Sequence, residues 1–385
     1  MKIIIAPDSF KGSMSAVEAA NSMNKGIHSV FENAETVLLP VGDGGEGTME
    51  TLVAATGGYE REVKVSDPLG NEVSATYGIL GDSKTCVIEM ATASGLKLAP
   101  EGTSPLNTTT YGTGQLIKQG LDDGFANFIL ALGGSSTNDG GAGMLQALGM
   151  KLLDRKGKEV RFGGGALNEI YEIDPRGFDQ RIRSGNFMIA SDVQNPLIGS
   201  NGASYVFGPQ KGASKEEVEI LDTNMAHWAD KVKQVTGVRL HDRPGAGAAG
   251  GIGGAFQAFF PSVMNRGIDV VLGYINMEEH LEGADLVITG EGKVDRQTTS
   301  GKTPMGVAQL AKQKEVPSII IAGAVGEGID SLYDFGVVSV TSMMSRPMTL
   351  KEAVNEAENL LASCTEQVVR AYFYQSLESK RRMML

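Results

Sequence analysis

The chain has 385 residues and a net charge of −12, from 46 acidic and 34 basic side chains. The acidic balance excludes a nucleic-acid surface built on basic patches, and no stretch approaches the ~18 consecutive apolar residues of a membrane span. The length suits two domains with sizeable cores. The 51 glycines, about twice the usual share, gather in discrete clusters, which points to tight turns and backbone-lined sites rather than low complexity.

The predicted elements alternate between strand and helix at both ends of the chain. Ile3 to Ala6 is a short apolar run of the kind buried on both faces of a sheet. It is too short for the apolar region of a signal peptide. Val17, Ala20, Met23, Ile27 and Val30 then recur at helical spacing, Thr36 to Val41 reads as a second strand, and Met49 to Ala55 as a second helix. Near the other end, Leu286 to Ile288, Ile319 to Ile321 and Val337 to Val340 are strands, with helices over 307–314 and 350–372 between and after them. The middle differs. Glu62 to Val65, Val73 to Leu80 and Thr85 to Met90 form a meander with turn signals between the strands, and apolar runs follow at Phe128 to Leu132 and Phe187 to Ala190.

The expected fold is therefore α/β: a discontinuous Rossmann-like parallel-sheet domain, residues 1–66 plus 284–385, with an inserted mixed α+β domain, residues 67–283. The expected site is the cleft between them. The expected compartment is the cytoplasm, with no membrane and no nucleic-acid partner. The two cysteines, Cys86 and Cys364, form no CxxC pattern, and the four histidines show no metal spacing, so a zinc site is not expected. The basic run Lys380-Arg381-Arg382 reads as a solvated tail.

Acids and glycines follow one predicted strand after another. Asp8-Ser9-Phe10-Lys11 comes after the first, and Gly42-Asp43-Gly44-Gly45-Glu46-Gly47-Thr48 after the second. GGSSTNDGGAG, from Gly133 to Gly143, follows the Phe128 run, and Ser191-Asp192-Val193-Gln194-Asn195 follows the Phe187 run. Gly290-Glu291-Gly292 and Asp295 follow Leu286 to Thr289. Ligands of open α/β sheets sit beyond the carboxyl ends of strands. GGSSTNDGGAG offers glycines for close approach, neutral donors in Ser135, Ser136, Thr137 and Asn138, and a following helix, a combination that suits a phosphate or carboxylate. Lys11, Lys211 and Lys302 stand beside glycine in loops and could neutralise phosphate oxygens. Gly301-Lys302-Thr303 resembles the tail of a phosphate loop, but Arg296 occupies the place of the required glycine. The formal GxGxxG at Gly245, Gly247 and Gly250 lacks a preceding buried strand and does not read as a dinucleotide fingerprint. It reads equally as a flexible helix start or as close packing through small residues. Acids without histidine or cysteine partners point to Mg²⁺, and phosphoryl transfer fits such an inventory.

An ordered set of motifs resembles the glycerate kinase type 1 family of bacteria. It comprises APDSFKGSMSA (6–16), GDGGEGT (42–48), DPLG (67–70), TTYGTGQLI (109–117), GGSSTNDGGAGMLQALG (133–149), SDVQNPL (191–197), VFGPQKGA (206–213), PGAGAAGG (244–251) and VITGEGKVDRQTTSGKTP (287–304). The resemblance implies an ATP- and Mg²⁺-dependent kinase that phosphorylates D-glycerate to 2-phosphoglycerate, and it is compatible with a homodimer. Within the resemblance, Asp192 is the expected general base for the glycerate hydroxyl, with Asp8 and Asp43 as its rivals. Lys11 and Ser9 would hold the substrate carboxylate or the transferred phosphoryl group. Glu291 and Asp295 would hold Mg²⁺, with Asp43 or Glu46 as alternates. Gly133, Gly134, Ser135, Ser136, Thr137, Asn138, Asp139 and Lys302 would cradle anions, and Asn195 and Gln297 complete the substrate-binding set. The competing readings are a kinase giving 3-phosphoglycerate, a kinase for a related sugar acid, a nicotinamide-dependent hydroxy-acid oxidoreductase and an acid-sensing regulator.

Overall fold

The computed structural model describes residues 1–296, 298 and 302–374. Gln297, Gly301 and the basic run at 380–382 therefore lie outside the described residues. The first two strands are β1 (Lys2–Pro7) and β2 (Glu35–Leu38). The middle of the chain carries β3 (Tyr59–Ser66), β4 (Glu72–Ile79), β5 (Thr85–Glu89), β6 (Asn127–Ala131), β7 (Lys151–Leu153), β8 (Glu172–Asp174), β9 (Asn186–Ala190) and β10 (Ser262–Asn265). The last three are β11 (Leu286–Val294), β12 (Ser318–Val325) and β13 (Val337–Ser342). Among the described residues, those of 1–43 and those after 270 cluster as one compact unit and residues 44–270 as a second.

In the first unit the strand order is β13-β12-β11-β1-β2, with every neighbour parallel. Counted within the unit this is the doubly wound order 2-1-3-4-5, and its switch point falls between β1 and β11. Both faces are covered, which is why the strands read as unbroken apolar runs. Ile319 and Ile321 join the core under the helices Ala16–His28 and Ala357–Tyr372, while Ile320 and Ala322 join the opposite core with Met305 and Ala308 of the helix Thr303–Gln313. Ser15 and Glu18 form a capping box at the start of Ala16–His28 and satisfy backbone donors there.

The second unit holds a six-stranded sheet of order β10-β9-β6-β5-β4-β3 and a small antiparallel pair, β7 and β8. From β10 to β5 the neighbours are parallel, and β4 and β3 add antiparallel edges. One core fills it, with Phe128 stacked on Phe187 at 4.9 Å and Trp228 fully buried on the helix Lys215–Thr236. No helix among the described residues is long and apolar enough to cross a membrane.

Three sequence expectations change. The boundary expected near residue 66 falls at 43/44, because β3 pairs with β4 from Tyr59 opposite Ile79 to Ser66 opposite Glu72 and so belongs to the second sheet. The boundary expected near 284 falls at 270/271. Gly290-Glu291-Gly292, expected as a loop, continues β11, with Glu291 opposite Ala322 and Lys293 opposite Ala324 on β12. The glycines of PGAGAAGG serve packing. A Cβ on Gly250, at φ +68°, would lie 2.0 Å from the Thr137 carbonyl oxygen, so only glycine allows that approach.

Candidate active site

The carboxyl ends of β2, β1 and β11, three adjacent parallel strands, deliver Asp43, Asp8 and the outer part of β11 with Glu291. Asp8 is the buried member, at 7% exposure. Its Oδ2 accepts the Thr303 hydroxyl at 2.6 Å, its Oδ1 accepts the Ser9 N–H at 2.6 Å, and its own N–H donates to the Gly290 carbonyl at 2.8 Å. Lys11 Nζ stands 3.6 Å from Asp43 Oδ2, and Lys302 Nζ 3.8 Å from Glu291 Oε2. Glu291 Oε1 accepts the Thr298 hydroxyl at 2.8 Å, and Asp295 N–H donates to that same hydroxyl oxygen at 3.2 Å. Asp295 Oδ2 lies 2.9 Å from Lys293 Nζ. Thr303 begins the helix Thr303–Gln313 with Pro304 in its first turn, so the Lys302-Thr303 pair is aimed by a helix start.

Burial, and next the charge of Asp43, push the Asp8 carboxyl up to about 6, against the bonds from Thr303 and Ser9 and the charge of Lys11. Burial likewise raises Glu291, while Lys302 and the Thr298 hydroxyl oppose the shift. Asp8 therefore holds its proton to a higher pH than an ordinary aspartate does. The near-miss phosphate loop now has an account. Thr303 donates its hydroxyl to Asp8, and Lys302 faces Glu291.

The Gly133–Asp139 turn, at the carboxyl end of β6, lies in the second unit and is built differently. Ser135, Ser136, Thr137, Asn138 and Asp139 are all buried, and only the corner at Gly133 and Gly134 reaches solvent. Ser136 Oγ and N–H both donate to the Ser94 carbonyl, and Asn138 Nδ2 donates to Ser204 Oγ at 2.9 Å. Asp139 accepts from Thr110 N–H and Oγ1, Thr109 Oγ1, Gly141 N–H and Gly143 N–H. The expected neutral donors are thus largely committed to the protein. Gly133 makes room for the neighbouring turn: a Cβ there would sit 2.5 Å from Gly45 Cα.

The remaining candidates also belong to the second unit. Asp192 is exposed, and its Oδ1 accepts the Gly267 N–H at 3.0 Å, at the start of the helix Gly267–Tyr274. Asn195 Nδ2 donates to the Asn201 carbonyl at 2.8 Å. Glu46 pairs with Lys97, both largely exposed. Gln297 lies outside the described residues. Sequence reasoning named Thr303 only as the end of the Gly-Lys-Thr tail, and it missed Thr298 and also Glu89, which ends β5. Glu89 is buried, accepts the Met49 N–H at 2.7 Å and is pushed up to about 7, mainly by burial. Its signal was an acid closing the apolar run Thr85 to Met90.

Among the described residues no group of three His, Cys, Asp or Glu side chains is placed to hold a metal ion. A Mg²⁺ ion needs no such group, since one or two carboxylates and substrate phosphates suffice. The donors of the first unit suit a hard cation. They are carboxylates, and the repulsion between Asp43 and buried Asp8 is of the kind a bound cation relieves.

A profile described as the glycerate kinase family matches residues 3–373. The chain is 48% identical over 369 residues to "Glycerate 2-kinase" of Escherichia coli (strain K12), covering 96% of this chain and 97% of the relative. It is 49% identical over 358 residues to "Glycerate kinase" of Bacillus subtilis (strain 168), covering 93% and 94%. A crystal structure of a candidate glycerate kinase 2 from Salmonella typhimurium LT2 superposes with a TM-score of 0.88 at 43% identity, over 99% of each chain. With a family profile spanning nearly its full length and relatives close to half identical, this chain belongs to the glycerate kinase family, whose members are phosphotransferases.

Proposed function

We propose that the protein transfers the γ-phosphoryl group of ATP to D-glycerate with Mg²⁺, and that the product is 2-phosphoglycerate. The observation that carries this reading is Asp8, a buried carboxyl held at about 6 between Thr303, Ser9 and the Lys11–Asp43 pair at the switch point of a parallel sheet. The glycerate hydroxyl oxygen attacks the γ-phosphorus, forming the new O–P bond. The bond from that phosphorus to the β–γ bridging oxygen breaks, ADP leaves with its electrons, and the hydroxyl proton passes to Asp8. Such a transfer asks the protein mainly for positioning and charge neutralisation.

Lys11 and Lys302 meet anionic oxygens as point charges, and Ser9 helps to hold the glycerate carboxylate. Glu291 and Asp295 are the residues that would hold Mg²⁺, with Asp43 as alternate. The ion when bound supplies neutralisation of phosphate charge. Glu46, already paired with Lys97, is less suited. Gly133 and Gly134 offer the exposed corner at which an anionic group is received. Asp192, the base expected from the sequence, is exposed and accepts the Gly267 N–H, whereas Asp8 is buried and raised to about 6, so the base role passes here to Asp8. The name of the Escherichia coli relative, "Glycerate 2-kinase", supports the choice of the secondary hydroxyl.

³¹P NMR of the reaction of D-glycerate with MgATP tests this reading. A phosphate ester coupled to one carbon-bound proton is expected. Coupling to two protons would reassign the product to 3-phosphoglycerate, and no ester at saturating substrates would overturn the activity.

A further inference from the structure

Lys211 ends the short 3₁₀ turn Pro209–Lys211, four residues before the helix that carries Trp228, and is almost completely buried at 6% exposure. Its Nζ donates to Ser135 Oγ at 2.8 Å and to the Thr137 carbonyl at 2.6 Å, gripping the Gly133–Asp139 turn from inside. A lysine is rarely buried to this degree without an ion-pair partner within contact distance. An ammonium has three N–H donors, and the turn accepts two. In the same turn the side-chain oxygens Thr137 Oγ1 and Asn138 Oδ1 are buried and have no hydrogen-bond partner. The turn's internal bonding is therefore incomplete around the one cation it encloses.

We propose that Lys211 is a positioning residue for phosphoryl transfer, holding the Gly133–Asp139 turn, through its bonds to Ser135 and Thr137, in the shape that receives an anionic substrate. The proposal rests on the reading of that turn as an anion site. The exposed corner at Gly133 and Gly134 stands directly before the two gripped residues, so a change in the grip moves the corner. Burial pushes Lys211 down to about 7, and Asp139 is the ionisable group whose charge opposes that shift. The grip therefore changes character near neutral pH. As an ammonium it donates both bonds. As an amine it can accept the Ser135 hydroxyl and loses its charge.

The protein carries its own reporter. Trp228, the sole tryptophan, donates its indole N–H to the Gly140 carbonyl at 3.1 Å, one residue past Asp139. The experiment compares wild type with Lys211→Met and Lys211→Arg by steady-state kinetics, MgATP titration, pH titration of tryptophan fluorescence, and thermal unfolding. Lys211→Met relieves the burial of a charge but leaves Ser135 Oγ and the Thr137 carbonyl without this donor, so a modest fall in melting temperature is expected and the kinetics are compared on the folded variant. Its KM for an anionic substrate is expected to rise roughly 10- to 100-fold, as for loss of charge-assisted bonds, with a smaller effect on kcat. The wild-type fluorescence transition near pH 7 is expected to vanish in Lys211→Met. Lys211→Arg recovers part of the loss. Kinetics within twofold of wild type, or a fluorescence transition that persists in Lys211→Met, overturns the proposal. If Lys211→Met does not fold, Lys211→Arg decides: a raised KM at unchanged melting temperature supports the role, and a wild-type KM overturns it. If wild type turns over no glycerate, the activity reading fails, and the MgATP and fluorescence titrations still judge Lys211.

Discussion

Asp8 and Asp139 are the same residue type, both follow a strand of a parallel sheet region, and both are almost wholly buried, yet their donor environments are opposite. Around Asp139 the Thr110 and Thr109 hydroxyls and the N–H groups of Thr110, Gly141 and Gly143 converge on the carboxylate. Its lone pairs are used, and these bonds tie the turn to Thr109 and Thr110. Asp8 has one hydroxyl and one N–H, and across from it stands the Asp43 carboxylate, not another donor. Burial raises both acids, so burial by itself does not tell the two environments apart. What separates them is whether the surrounding donors already satisfy the charge.

The contrast breaks most sharply at Asp8. Asp8→Asn should lower kcat by ~10²–10⁴-fold, the usual cost of losing a general base, without lowering the melting temperature. The wild-type kcat/KM should show an acid limb near pH 6, the value to which burial and Asp43 bring Asp8, and that limb should be missing from the residual activity of the variant. Asp139→Ala should do the reverse. It leaves the N–H groups of Thr110, Gly141 and Gly143 without their acceptor, and urea unfolding should register a loss of about 3 kcal/mol or more.

Glu89 sharpens the comparison from a third side. Its carboxyl is raised to about 7, so the folded state binds the proton more tightly than the unfolded chain, and stability falls as pH rises from about 4.5 to 7. Glu89→Gln should therefore be more stable than wild type at pH 8, by about 1–3 kcal/mol, and the gain should disappear at pH 4. Denaturant titrations at the two pH values would read it. An equal effect at both would show that packing, not ionisation, is responsible. The smallest effect is expected at Lys97, whose pairing with Glu46 is exposed. Lys97→Ala should change unfolding free energy by less than ~1 kcal/mol, and a larger loss would mean that the Glu46 turn depends on it.

Much of the first unit was legible in the chain itself. Ile3-Ile4-Ile5 and Ile319-Ile320-Ile321 announce strands covered on both faces, because a two-sided core leaves no position for a polar residue. The acids at 8 and 43 were legible as residues beyond strand ends, because each follows a short apolar run directly or through a glycine turn. The second unit was harder. β3 read as part of the terminal domain, since antiparallel pairing with a neighbour such as β4 leaves little trace in a one-dimensional pattern. Gly290-Glu291-Gly292 read as a loop because two glycines are poor strand formers, while the ladder to β12 overrides that preference.

The sequence by itself determined the alternation of strands and helices, the family, and the residue types of an acid-rich, oxygen-donor site, since periodicity and composition are local properties of the chain. Only the tertiary structure decided which donors surround each acid. Thr303 is 295 positions from Asp8, Thr110 is 29 from Asp139 and Gly267 is 75 from Asp192. The donors that satisfy a carboxylate come from wherever the fold brings them, and no spacing in the sequence records that arrival.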